Sequence, residues 1–331
     1  MTAPQIRKAS RKKARLRLGI SAPSGAGKTL GALLLAYGVI KYEYPAFTEA
    51  QIWEKIGIID TEEGSGELYV GVHKHGVTIG EYTYIRLSAP FTAIKYVEAQ
   101  RAMESAGVAI IIHDSLTHAW AGSGGLLEKQ GRLTDADKYK NSYAAWRHVT
   151  PDHNALVDAM LQSPCHIIGT MRSKVEYAMQ AGKGGKQEIV KLGLAPVQRE
   201  GMEYEFTVFF DINDQSMAHA TKDRTDLFSS VNAAGFLEKR EFMIKPDTGI
   251  EIGKWLDTGL EFIDSLCERM AADVGASMDL ESTYSAHVNT FVRLQAERPE
   301  WVEFMQDLFR NRANELAQNQ GGENTDEKTS N

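Results

Sequence analysis

Cysteine is scarce. The 331 residues contain two, Cys165 and Cys267, far apart in the chain. That spacing is neither a disulfide framework nor a zinc pattern, and it reads as two reduced, buried thiols. Long apolar runs are missing as well. None approaches the ~20 residues that span a bilayer, so no membrane segment is expected. The basic N-terminus is not followed by a signal-peptide core, because the apolar run at 16–20 is short and leads straight into a turn. These absences point to the cytoplasm. The histidines His73/His75, His113/His118 and His148/His153 have no cysteine beside them and no metal-site spacing, so they read as solvated or hydrogen-bonded structural residues. No internal repeat is visible.

Acidic residues are absent from the first 17 positions, which carry Arg7, Lys8, Arg11, Lys12, Lys13, Arg15 and Arg17. The whole chain has a formal charge of −7, so the remainder carries −14. A basic arm on an acidic body is either a nucleic-acid contact or a solvated terminus that aids solubility. The 43% hydrophobic content is that of an ordinary globular protein, and the length suits one large α/β domain with additions or two modest domains.

What is present centres on Leu16-Arg-Leu-Gly-Ile-Ser-Ala-Pro-Ser-Gly-Ala-Gly-Lys28-Thr29 and the apolar run after it. It reads as a short strand, a turn of small residues, then a helix. The turn Ala22-Pro-Ser24-Gly25-Ala26-Gly27-Lys28-Thr29 is the phosphate-binding P-loop pattern, with Ala22 in place of its first glycine. Gly25 and Gly27 let successive N–H groups curl inward toward phosphate oxygens, and the helix adds the positive end of its dipole. Lys28 would reach the β- and γ-phosphates of ATP, and the Thr29 hydroxyl would hold Mg²⁺.

Further strands are expected at 53–60, 82–87, 108–113 and 165–170, with helices at 28–42, 93–105 and 154–162. Val108-Ala-Ile-Ile-Ile-His113 is apolar throughout, as in a parallel strand buried on both faces. Strand–helix alternation to residue 170 implies a parallel sheet wrapped by helices. Residues 173–199, rich in glycine and lysine, read as a long loop, and 204–211 with 217–221 as a meander. From 255 onward the pattern is helical, at 255–271, 281–297 and 300–317. The expected organisation is an arm at 1–14, a core at 15–235, a helical region at 236–318 and a polar tail at 319–331.

A P-loop ATPase needs a carboxylate at a neighbouring strand tip to place Mg²⁺, usually through water, and Asp114 follows such a strand. Glu62 is the first candidate for orienting the attacking water, and Glu63 the second. Thr170 ends another strand and could report the γ-phosphate to the segment that follows. Lys174, Lys183, Lys186, Lys191 and Arg199 could bind phosphates of single-stranded DNA without reading sequence, with Tyr177 available for stacking, or could be a solvated loop. Lys222 and Arg224 are either fingers that neutralise charge in phosphoryl transfer or partners of Asp223 and Asp226. The aromatics of the helical tail are most simply a packed face, with a partner surface as the alternative.

The order of these motifs resembles the RecA-like recombinase core. Asp60-Thr-Glu62 is similar to that family's acid-bearing strand end, the 84–115 segment to its magnesium-aspartate strand and preceding helix, and His166-Ile-Ile-Gly-Thr170-Met-Arg172-Ser-Lys174 to its switch strand. Thr170 stands where the family often has Gln. Residues 175–199 and 122–153 fall where the family carries DNA-binding loops, and Lys222-Asp-Arg224 resembles the basic pair that reaches a neighbouring subunit's ATP. Ile59-Asp-Thr-Glu-Glu-Gly, Gly169-Thr-Met-Arg-Ser-Lys, the 195–206 segment and Thr221-Lys-Asp-Arg-Thr look like the AAA-type ATP-binding proteins of tailed bacteriophages. The resemblance implies an α/β, RecA-like P-loop NTPase with a mostly parallel central sheet flanked by helices, and a C-terminal helical extension. It implies an ATP- and Mg²⁺-dependent ATPase in the host cytoplasm. That enzyme would work as a ring or filament on single-stranded DNA in recombination, annealing or replication. The alternatives are an ATP-gated loader or scaffold that binds a protein through the C-terminal helices, and a motor.

Overall fold

The computed structural model describes residues 14–137, 141–181, 187–231, 237–239, 241–258, 263–297 and 299–322. They divide into two units, one spanning Arg15–Leu256 and one containing the helices after Asp257.

The first unit is built on one sheet. Its strands are β1 (Arg17–Ala22), β2 (Ile56–Asp60), β3 (Thr83–Arg86), β4 (Ile110–Asp114), β5 (His166–Ala181), β6 (Gln187–Pro196), β7 (Val208–Ile212) and β8 (Ala218–Asp223). Their order is β8-β7-β1-β5-β4-β2-β3, with β6 paired to β5. All neighbours from β7 to β3 run parallel, while β8 and β6 are antiparallel to their partners. β1, β2 and β4 are buried at every position, as continuous apolar runs in the middle of a parallel sheet should be.

Alternate residues feed two cores. Leu18, Ile20, Ile58, Ile110, Ile112, Ile168 and Phe210 point to one side, against α1 (Lys28–Glu43), α2 (Glu49–Glu54) and residues Ile252 and Leu256. Ile59, Ile111, Ile167 and Phe209 point to the other, against α3 (Ala93–Ser105), α4 (Thr117–Ala121), α5 (Leu126–Ala136) and α6 (Ser142–Gln162). The result is a three-layer α/β/α arrangement.

Four sequence expectations change. Trp53 belongs to α2, not to a strand, because Thr48 and Gln51 form a capping box that starts a helix there. α6 begins at Ser142, passes through Pro151 and makes one 21-residue helix. A proline inside a helix costs about 3 kcal/mol. Burial of Ala145, Val149, Leu156, Val157 and Met160 along the same helix offsets it.

The expected loop at 173–199 is largely a hairpin. β5 continues to Ala181 and pairs with β6 from Ser173↔Pro196 to Ala181↔Gln187, with a bulge at Glu176/Tyr177. Arg17 is not part of a free basic arm. It is 7% exposed in β1, and its guanidinium donates to the carbonyls of Leu16, Leu161, Ser163 and Cys165. Burial lowers its pKa to about 10. Positions 1–13 lie outside the described residues.

A fifth change concerns α7 (Pro246–Leu256), which packs against α1 within the sheet unit although the sequence groups it with the C-terminal helices. The two helices meet backbone to backbone. A Cβ at Gly38 would lie 2.0 Å from the Pro246 carbonyl oxygen, and one at Gly249 would lie 2.3 Å from that of Leu35.

The second unit contains α8 (Ile263–Ala276), α9 (Leu280–Glu297) and α10 (Val302–Gly322). Its core is Cys267, Met270, Val274, Phe291, Leu294 and Met305. Among the described residues, no helix is long and apolar enough to cross a membrane.

Candidate active site

β1 delivers the chain to the P-loop at the C-terminal edge of the sheet. Ala22 is the last residue of β1 and takes no positive φ, so this position has no need of glycine. Gly25 (φ +81°) and Gly27 (φ +95°) do need it. Gly27 is the N-cap of α1, and no side chain caps the helix, which leaves its first N–H groups for an anion. Ser24 and Gly25 are exposed at the loop's outer edge, while Ala26 is buried. Lys28 is 8% exposed, and its Nζ donates to the Pro23 carbonyl at 3.3 Å. Burial lowers the Lys28 pKa, and Asp114 and Glu62 pull it back up.

Asp114, the last residue of β4, is fully buried. Each carboxylate oxygen accepts one hydroxyl: Oδ2 from Thr29 at 2.6 Å and Oδ1 from Thr170 at 2.5 Å. Burial raises its pKa, the two hydroxyls oppose this, and Glu62 and Asp60 add to it. A carboxylate made so unfavourable by burial and neighbouring acids is a place where a cation gains most. The donor set is hard oxygen, which suits Mg²⁺. A threonine that gives its proton to Asp114 keeps its lone pairs for a metal, with Asp114 acting behind it. The residues present therefore fit a nucleotide with its magnesium.

The loop after β2 brings Glu62 to the same edge. The Asp60 carboxylate holds that loop by accepting from Glu62 N at 2.5 Å, Gly66 N at 3.0 Å and Tyr84 OH at 2.8 Å. Glu62 Oε1 accepts from Ser115 Oγ at 3.0 Å and Arg172 Nε at 2.9 Å, and Oε2 accepts from Arg172 Nη2. Burial alone would raise the Glu62 carboxyl, but the hydrogen bonds and charge of Arg172, with Ser115, hold it below its ordinary value. Glu63 instead pairs with Arg86 at 2.7 Å and is exposed. Thr61 ties the strand ends together: its Oγ1 accepts from Ser115 N at 2.9 Å and lies 2.8 Å from His118 Nδ1.

Thus Lys28, Thr29, Asp114, Thr170 and Glu62 converge, and Glu63 does not join them. Lys222 and Arg224 lie elsewhere. Asp223 pairs with Val208, which pairs with Leu18, so the basic pair sits ~13 Å back along the strands from the end of β1. Neither can reach the P-loop of its own chain. Lys222 Nζ donates to the Tyr204 carbonyl. Arg224 is exposed, and no ion pair joins it to Asp223 or Asp226 among the described residues. The Asp223 carboxylate is taken by Thr225 and by Phe228 N.

Of the expected DNA-binding residues, Lys174 is exposed at the base of the hairpin. Lys183, Lys186 and the side chain of Lys191 lie outside the described residues. Arg199 stacks over Trp146, 5.9 Å from the ring centre, in a cleft of about 1270 Å³. Trp120, Tyr143, Trp146, Arg147 and Tyr204 line it too. Trp120 and Trp146 stack at 5.6 Å, and Tyr143 and Tyr204 are 83% and 68% exposed.

The sequence assigned no role to Arg172, Ser115 or Thr61, and His118, read there as a solvated or hydrogen-bonded structural histidine, is hydrogen-bonded to Thr61. One signal was available for Arg172, since residues two apart on a strand share a face and Arg172 follows Thr170 by two.

An uncapped helix behind a glycine turn, a buried lysine and a buried aspartate bridged by two threonines are the features of a P-loop nucleotide site. A protein-family model described as an AAA domain matches residues 14–233, and the chain belongs to that family. No curated protein matches it.

Proposed function

We propose that this ATPase hydrolyses Mg²⁺·ATP at the β1–α1 loop and couples turnover to binding of single-stranded DNA. The observation that carries the reading is the bridge Thr29–Asp114–Thr170 with Glu62 held beside it through Ser115. Bound magnesium would supply charge neutralisation at the transferring phosphate. The chain's own residues do the rest. The N–H groups at the start of α1 and the Lys28 ammonium bind phosphate oxygens. Thr29 holds the metal and Asp114 orients Thr29. Glu62, once free to accept a proton, orients the attacking water. Thr170 shares Asp114 with Thr29, so it carries a change at that carboxylate into β5.

The cleft supports single-stranded DNA as the partner. Exposed tyrosines and a guanidinium stacked on indole offer flat, sequence-tolerant surfaces to bases. Lys222 and Arg224 cannot serve their own P-loop, which favours an oligomer in which they complete a neighbour's site. A protein-loading role is the second reading. It is favoured by Tyr284, Val288 and Val292, exposed at four-residue spacing along α9.

The test is direct. Lys28→Ala should abolish nucleotide binding. Glu62→Gln should keep nucleotide affinity within about twofold yet lower turnover ~10²-fold or more. Unstructured oligothymidylate should raise wild-type turnover, and its binding should weaken as salt rises. Turnover that is indifferent to Glu62→Gln refutes the catalytic assignment. Salt-insensitive, non-stimulating behaviour refutes the DNA assignment.

A further inference from the structure

His118 has no task in the hydrolytic reading, yet it is built into the strand ends. It lies on α4, just after β4. Its ring stacks on Phe91, with centroids 4.9 Å apart and planes 21° apart. Phe91 is itself anchored: its N–H donates to the Ser123 carbonyl at 2.7 Å, and a Cβ at Gly122 would lie 2.9 Å from its ring. The stack holds the imidazole in one plane, with Nδ1 2.8 Å from Thr61 Oγ1.

Thr61 is 3% exposed, and its hydroxyl has one proton to give. The oxygen accepts from Ser115 N at 2.9 Å. The proton has two acceptors within reach. One is His118 Nδ1 at 2.8 Å; the other is the Ser115 carbonyl at 3.2 Å, which already accepts from Tyr96 OH at 2.8 Å. The imidazole is the nearer and less occupied of the two, provided that Nδ1 carries no proton. An imidazole protonated at Nδ1 reverses the contact: it donates to Thr61, and the Thr61 proton is driven to the longer bond. The threonine joins both strand ends. Its N–H donates to the Asp114 carbonyl at 2.7 Å, the next residue is Glu62, and Ser115 donates through its own hydroxyl to Glu62 Oε1.

The charged groups that face the imidazole are Glu62 and Asp60 from the end of β2 and Arg172 from β5. Burial lowers the His118 pKa and Arg172 adds to the fall, while Glu62, the Thr61 carbonyl and Asp60 oppose it. The net direction is down, so the imidazole is neutral at neutral pH and charges below the ordinary histidine value of 6.5.

We propose that His118 is a positioning residue for hydrolysis: as neutral imidazole it takes the Thr61 hydroxyl proton and so sets the ends of β2 and β4, with Glu62 and Asp114, in the arrangement that turns over, and as imidazolium it gives that arrangement up. It acts through Thr61, not on the reacting atoms. The proton that charges it comes from solvent and goes to Nδ1. The assignment rests on the reading of Glu62 as the water-orienting carboxylate.

The test uses the full chain, and its first arm contains no nucleotide. Proton–nitrogen correlation NMR of protein with isotopically labelled histidines, recorded above neutral pH, should show His118 as the Nε2–H tautomer. Loss of the signal in His118→Asn identifies it. In the second arm, with Mg²⁺·ATP, His118→Phe keeps the stack and removes the acceptor. It should lower kcat ~10-fold with KM within about twofold. In a Thr61→Val background the same change should cost nothing further. His118→Asn puts a carbonyl oxygen near the place of Nδ1, which accepts the Thr61 proton and does not titrate. It should keep kcat within about threefold of wild type above neutral pH. Below pH 6.5 it should hold that rate while the wild-type rate falls.

The positioning role is overturned by a His118 that is protonated at Nδ1 above neutral pH, or by an acid limb that persists unchanged in His118→Asn. It is also overturned if His118→Phe turns over like wild type, or loses as much activity without the Thr61 hydroxyl as with it. Should His118→Phe not fold, the tautomer and the His118→Asn profile decide alone. A Glu62→Gln variant with wild-type turnover refutes the water-orienting reading separately, since neither of those two measurements depends on it.

Discussion

Replacing Thr170 with valine tests the Asp114 bridge. The side chain keeps its shape and loses its hydroxyl, so Asp114 Oδ1 loses the donor at 2.5 Å. The site is fully buried, and water cannot easily take the donor's place. A hydrogen bond to a charged group is worth about 1.5–3 kcal/mol. For a cooperative unit of this size each kcal/mol shifts Tm by about 2–4 °C, so a fall of ~3–12 °C is expected. The loss should depend on pH. Burial already raises the Asp114 pKa, and the Thr170 hydroxyl opposes that rise, so the variant's value moves further up. A carboxyl raised in the folded state favours folding at low pH, where it is protonated, and costs stability as pH rises through the folded value. The gap between wild type and variant is therefore widest at alkaline pH and narrows as Asp114 takes up a proton. Thermal unfolding followed by circular dichroism across pH measures it. A gap below ~0.5 kcal/mol, or one that does not change with pH, would refute the bridge as a charged hydrogen bond.

Two other perturbations report on different parts of the molecule. Gly38→Ala places a Cβ 2.0 Å from the Pro246 carbonyl oxygen and should cost about 1–3 kcal/mol, whereas Gly131→Ala in α5 meets nothing within 4 Å and should be neutral or slightly stabilising in the same thermal assay. Arg224→Ala should lower turnover ~10³-fold if the residue acts as a finger, and mixing it with inactive Lys28→Ala subunits should restore turnover. Failure of the mixture to exceed its two components removes the case for action on a neighbour.

The parts of the site that were legible in sequence are local. Gly25 to Thr29 is a turn whose backbone requirements are written in consecutive residues, and Asp114 and Thr170 sit at the ends of apolar runs. What could not be read depends on distant pairing. Glu62 and Arg172 are 110 residues apart, and no local pattern announces that one grips the other. The hairpin of β5 and β6 was hidden by glycine and lysine around 182–186, which masked the β-forming Val175, Tyr177, Met179 and Ile189. Pro151 reads as a helix stop, yet tertiary burial carries α6 through it. Arg17 reads as one more arm charge, and only the four carbonyls around it explain why it is inside.

The crossing of α1 and α7 bears on where motion can occur. At Gly38 and Gly249 the two backbones touch with no side chain between them to yield. The helix that carries Lys28 and Thr29 is thus packed backbone to backbone along its back, which leaves little room for it to slide. The contact that links this helix to β5 is the Asp114 carboxylate shared by Thr29 and Thr170, and among the described residues β5 beyond Ser173 pairs with β6.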